Sequence, residues 1–95
     1  MIQRFCFVKL LDDEVGTRAE LAELLDAQLS SAGADAVVGL PADHSAARWD
    51  LSIVITAASL EAWNALAQLP AMTGVFDELA ARAAVVKAWT FEATR

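Results

Sequence analysis

The chain predicts an α+β domain, a four-stranded antiparallel sheet with helices on one face and a second sheet packed against the other. Three observations lead there. Apolar residues at strand spacing recur in four segments, 2–11, 35–40, 48–57 and 84–92, with helical periodicity between them. These segments are apolar on both faces, as in Phe5-Cys6-Phe7-Val8, Leu51-Ser52-Ile53-Val54-Ile55 and Val85-Val86-Lys87-Ala88-Trp89. A half-solvated sheet would alternate apolar with polar side chains. Finally, 57% of only 95 residues are hydrophobic. A domain of that size buries roughly 60–65% of its unfolded surface, so an excess of apolar residues fits a subunit contact.

Each element has its own signal. Residues 2–11 form the first strand, and Asp12-Asp13-Glu14-Val15-Gly16 reads as a turn. Thr17-Arg18-Ala19-Glu20 matches a capping box, in which hydroxyl and carboxylate satisfy opposing backbone N–H groups. Leu21, Leu24, Leu25 and Leu29 then recur at helical spacing, and Gly33 is a natural left-handed stop. A short second strand over 35–40 is interrupted by Gly39, and residues 41–47 form the loop that contains His44. The third strand covers 48–57, and Ser59 caps a helix over 60–68. Pro70 can begin a helix but not continue one, so a further helical segment over 71–81 is expected after a break. The fourth strand closes the chain over 84–92. The order β-α-β-β-α-β is the ferredoxin-like arrangement, in one domain spanning 1–95. Helices on one face leave the other bare, which predicts a homodimer.

Charge and composition exclude several functions. The net charge is −6, and the seven cations are scattered singly, which gives no footprint for nucleic acid. No apolar run approaches the roughly 18–20 residues of a membrane span, and no signal-peptide pattern opens the chain, so the expected setting is cytoplasmic and off the membrane. Cys6 is the single cysteine, which excludes an internal disulfide and a multi-cysteine zinc site. Among Phe5, Phe7 and Val8 it reads as a small core side chain, with Arg4 the one local cation that could activate it. No cofactor and no metal are expected.

The ordered segments together resemble the stress-responsive A/B barrel domain family. The resemblance rests on the opening Ile2-Gln3-Arg4-Phe5-Cys6-Phe7-Val8-Lys9-Leu10 and on Val37-Val38-Gly39-Leu40 after the first helix. It continues from Trp49-Asp50-Leu51 through Ile55-Thr56 into Ser59-Leu60-Glu61-Ala62. Leu69-Pro70-Ala71-Met72 stands where the family shows His-Pro-x-His. The resemblance implies two protomers packed sheet to sheet as a dimeric α/β barrel. In a plant polyketide cyclase of the family, a strand-one His and the second His of that element are implicated in aldol chemistry, and a helix-two Tyr lines the pocket. Those positions are Arg4, Met72 and Leu66 here, and Leu69 replaces the other His. Leu and Met move no proton and Arg stays charged, so that chemistry is expected to be absent.

The remaining candidates have mostly structural readings. His44, beside Asp43 and Ser45, is read as a solvated loop residue, because sequence neighbours point apart rather than converging as a triad. Asp12-Asp13-Glu14 suits the positive end of the following helix and lacks the ligand spacing of a calcium loop. Trp49, Trp63 and Trp89 are read as core or interface, with Trp49 sharing the face of Leu51 and Trp89 that of Phe91. Arg4, flanked by apolar side chains, needs a counter-charge; Asp50 is the first expected partner and Glu92 the second. Without either, Arg4 would be exposed at the sheet end or would anchor an anionic ligand.

Three function classes follow. A homodimer acting without catalysis, through small-molecule binding or protein contacts, is favoured. An enzyme of polyketide cyclase or monooxygenase kind is the alternative, its apolar pocket between sheet and helices formed by Arg4, Trp63, Leu66 and Met72. A filled interior would instead indicate a purely structural assembly element. A pocket of about 300 Å³ or more reaching Arg4 would favour ligand binding or the enzyme.

Overall fold

Antiparallel pairing of the four strands sets the layout. The computed structural model describes residues 1–94, so Arg95, one of the scattered cations, lies outside it. Strand β1 spans Ile2–Leu10, helix α1 Arg18–Ser31, β2 Asp35–Gly39 and β3 Leu51–Ala57. Helices α2 (Leu60–Ala67) and α3 (Pro70–Arg82) precede β4 (Ala83–Glu92). The strand order is β2-β3-β1-β4 and every pair is antiparallel, which is the ferredoxin-like arrangement. The break before Pro70 divides the second helical unit in two.

Strand alternation sorts the side chains into two faces. Ile2, Val8 and Leu10 of β1 and Leu51, Ile53 and Ile55 of β3 point under the helices and are buried. They pack on Leu21, Leu25 and Leu29 of α1, Trp63 of α2, and Met72, Val75 and Leu79 of α3. On the opposite face lie Phe5, Phe7, Val54, Trp89 and Phe91, with Trp89 46% and Phe91 58% exposed. The Phe5 and Phe91 rings meet edge-on at 5.9 Å, and Phe7 lies 5.9 Å from both Trp49 and Trp89. The thinnest extent of the molecule is 18 Å, the depth of one sheet layer and one helix layer. The aromatic face therefore has nothing over it among the described residues.

Three local expectations change. The capping box at Thr17 does not form. Asp12–Thr17 is a 3₁₀ helix running straight into α1, so Thr17 keeps φ −105°, ψ 10° rather than the extended backbone of a capping residue. Its hydroxyl instead donates to the Glu14 carbonyl at 2.8 Å and accepts from Arg82 Nη2 at 2.8 Å. Arg82 Nε also donates to Glu14 Oε2 at 2.9 Å, which ties the start of α1 to the end of α3. Second, β3 begins at Leu51 rather than Arg48, because Ala46–Trp49 is a tight turn closed by Trp49 N–H to the Ala46 carbonyl at 3.0 Å. Ala47 sits at φ 52°, ψ −120° there, a conformation that favours glycine. Third, the turn removes Trp49 from strand alternation, so it stacks on Phe7 on the bare face while Leu51 enters the core.

The helix ends otherwise follow the sequence. Gly33 has φ 76°; its N–H reaches the Ser30 carbonyl and that of Ala34 the Leu29 carbonyl, each at 3.0 Å. This pair of bonds is a Schellman stop. Ser59 Oγ accepts from Ala62 N–H at 3.1 Å, capping α2.

Candidate functional site

Arg4 and Cys6 project from β1 towards the helices, and between them and the helix layer lies a cavity of about 120 Å³. Its sheet side is formed by Arg4, Cys6, Ile53, Ile55, Val86 and Ala88, and its helix side by Leu29, Trp63, Met72, Val75, Phe76 and Leu79. The hollow exists because the paired floor positions are small: Cys6 stands opposite Ala88 across the β1–β4 register. Phe76 and Val86 line it and are 41% and 42% exposed, so the cavity opens between α3 and β4.

Of the residues singled out in the sequence, Arg4, Trp63 and Met72 come together around this space. Leu66 does not line it. It lies about one turn along α2 from Trp63 and is half-buried, packed against the core. Leu69 precedes α3 and is 42% exposed, while Met72 is fully buried. Thr90, Ala88, Phe76 and Val86 were not singled out. Their signal is the antiparallel register, which sets Thr90 beside Arg4 and Ala88 beside Cys6.

The expected partners of Arg4 are engaged elsewhere. Asp50 is 6% exposed; its Oδ2 accepts from the Leu10 N–H at 2.8 Å and its Oδ1 from Arg18 Nη1 at 3.3 Å. Antiparallel pairing sets Arg4 opposite Ile55 and Val8 opposite Leu51, so Asp50 lies at the far end of β1 from Arg4. That separation is roughly 15–20 Å at about 3.3 Å per residue. Glu92 stands opposite Ile2 and its carboxylate is 3.7 Å from the N-terminal amine. Among the described residues, no carboxylate is within salt-bridge distance of Arg4. Its Nη1 donates to Thr90 Oγ1 at 2.8 Å, and its Cζ lies 5.1 Å from the centre of the Trp63 ring. A cation over an indole face is attracted by the ring quadrupole.

Among the described residues, the wall holds two further polar groups, the Trp63 indole N–H and the Cys6 thiol. Burial pushes the thiol above the ordinary value, and the nearby Arg4 charge offsets this only in part. It is a protonated thiol at neutral pH and a poor nucleophile. His44 is exposed in the loop after β2. Asp43 there accepts hydrogen bonds from the Ser45 N–H and hydroxyl, which hold its carboxyl below the usual range. That is a local turn contact remote from the cavity, since none of these residues lines it.

A larger hollow of about 350 Å³ lies at the bare face, between Phe7, Trp49 and the loop around Pro41. Gly39 and Ser52 both line it and are close-packed, since a Cβ at Gly39 would come 2.5 Å from Ser52 Oγ. No cationic or anionic side chain lines it. It belongs to the surface that a second sheet would cover.

Neither a protein-family model nor a curated protein matches the chain. Solved structures share its fold. A dimeric protein of unknown function with a ferredoxin-like fold from Bacteroides fragilis superposes with TM-score 0.79 at 16% identity, covering 97% of this chain and 95% of that one. A dimeric ferredoxin-like protein of unknown function from Thermobifida fusca gives 0.77 at 15% identity, over 97% and 90%. A protein from Deinococcus radiodurans, provisionally assigned as an antibiotic biosynthesis monooxygenase, gives 0.75 at 16% identity, over 100% and 94%.

Proposed function

We propose that the protein is a homodimer, two sheets packed face to face as an α/β barrel, that holds a small molecule between sheet and helices without acid–base chemistry of its own. The observation that carries this reading is the cavity itself. Core side chains normally pack to the density of a molecular crystal, so a mainly apolar hollow that reaches from the surface into the core forgoes packing contacts. A purely structural element would gain by filling it. The volume, about 120 Å³, is below the ordinary 300–1,000 Å³ of drug-sized ligands, so the molecule is small or only partly inserted. No group in the wall exchanges a proton near neutral pH: the guanidinium stays charged and the thiol stays protonated. Dimerisation is supported by the aromatic face and by the compared structures described as dimeric.

Thermal-shift and calorimetric titration of small apolar molecules against the wild type and Ala88→Met tests the reading. Met at position 88 would fill the floor of the cavity, so binding is expected in the wild type and lost in the variant, with the fold retained. Equal binding by both proteins, or by neither, would overturn it.

The second reading, an enzyme of cyclase or monooxygenase kind, is favoured by the fold shared with the provisionally assigned monooxygenase. It requires a substrate that supplies its own reactivity. Oxygen uptake or ring closure with phenolic polyketide-like substrates would support it; turnover is expected to remain at background.

A further inference from the structure

Building on the reading that this cavity takes a small molecule, we propose that the ligand is a short-chain monocarboxylate, its apolar tail inside and its carboxylate at the mouth on Arg4 and Thr90. The half-buried Arg4 guanidinium stands at the exposed edge of an otherwise mainly apolar wall, and no carboxylate lies within salt-bridge distance of it among the described residues. The side chain is nevertheless held. Thr90 Oγ1 accepts from Nη1 at 2.8 Å, and the Trp63 face lies 5.1 Å from Cζ. These contacts orient the planar group and leave most of its five donors unused.

A carboxylate matches that fork, with two parallel N–H···O bonds. Thr90 is exposed and Arg4 half-buried, so the charged end of the ligand would stay hydrated on one side while its tail is sequestered. Beyond Arg4 the wall turns apolar, with Ile53, Ile55, Met72 and Val75 around Cys6. It offers no second cationic side chain that would suit a diacid. The space equals roughly four water-sized volumes of about 30 Å³, so about four carbons of a tail fit inside it. The exposed Phe76 and Val86 form an apolar entrance between α3 and β4.

Isothermal titration with sodium hexanoate, hexanol and methyl hexanoate at neutral pH tests this on the wild type, Arg4→Met, Arg4→Lys and Ala88→Met. Hexanoate is expected to bind at least tenfold more tightly than hexanol, and added salt should weaken hexanoate alone. Arg4→Met should erase the difference while leaving hexanol binding in place, and Arg4→Lys, with charge but no fork, should fall between. Ala88→Met should abolish binding of all three. If hexanoate and hexanol bind equally, or if Arg4→Met leaves hexanoate unaffected, the carboxylate assignment is overturned and the cavity reading stands. If hexanoate binds Ala88→Met as it binds the wild type, the site lies on the surface and the assignment also fails. If none of the three probes binds the wild type, both readings are overturned.

Discussion

Asp50 and Arg4 show how one residue's partner is decided by register. Asp50 is buried with both oxygens engaged, by the Leu10 N–H at 2.8 Å and by Arg18 at 3.3 Å. Arg18 is 42% exposed, so the ion pair itself contributes little. The Leu10 amide is the contact that matters, because removing its acceptor leaves a buried donor unsatisfied. Asp50→Ala is therefore expected to cost about 1–3 kcal/mol in urea unfolding, while Asp50→Asn, whose side-chain oxygen can still accept from Leu10, costs less. Arg18→Ala should change stability by less than about 1 kcal/mol. If Arg18→Ala costs as much as Asp50→Ala, the ion pair rather than the amide is the stabilising contact.

Two helix starts with similar sequence signals behave differently. At α2 the chain arrives extended, Ser59 having φ −156°, ψ 169°, and its hydroxyl can turn back to the Ala62 N–H. At α1 the chain arrives already helical, so Thr17 cannot cap and Glu20 has no reciprocal partner. Ser59→Ala should cost about 1 kcal/mol, whereas Glu20→Ala should be neutral within about 0.5 kcal/mol by chemical denaturation. Thr17→Ala should act through a different route, loosening the Glu14–Arg82 contact between α1 and α3. A loss at Glu20 matching that at Ser59 would mean that the capping box forms in solution after all.

At the scale of the whole molecule, the bare sheet face is the surface on which the proposed dimer rests. Phe5, Phe7, Trp89 and Phe91 form an aromatic patch with no helix over it among the described residues, and apolar patches of this kind usually mark contact surfaces. Two such faces packed together should bury more than about 1,200 Å² in total with an apolar centre. Light scattering is expected to give a dimer at micromolar concentration. Trp89→Glu should shift it to monomer, since a carboxylate at that centre would have to be desolvated without a partner. A stable wild-type monomer would remove the dimer from the proposed function.

The sequence by itself determined the elements, their order and the two-sided character of the sheet. Those follow from local periodicity and from single residues with strong backbone preferences, Gly33 at its left-handed stop, Ser59 at its cap and Pro70 at the helix break. It also singled out Arg4, Trp63 and Met72, which meet around one cavity. Tertiary structure decided the partners. Whether Arg4 meets Asp50 depends on strand direction, which sets Asp50 beside Leu10 instead. Whether a cavity opens depends on which small residues face each other, and Cys6 and Ala88 are brought together only by the β1–β4 register. The Thr17 box does not form because the direction from which a chain enters a helix is absent from residue spacing. Spacing encodes which face a side chain takes; only pairing between distant segments determines what it finds there.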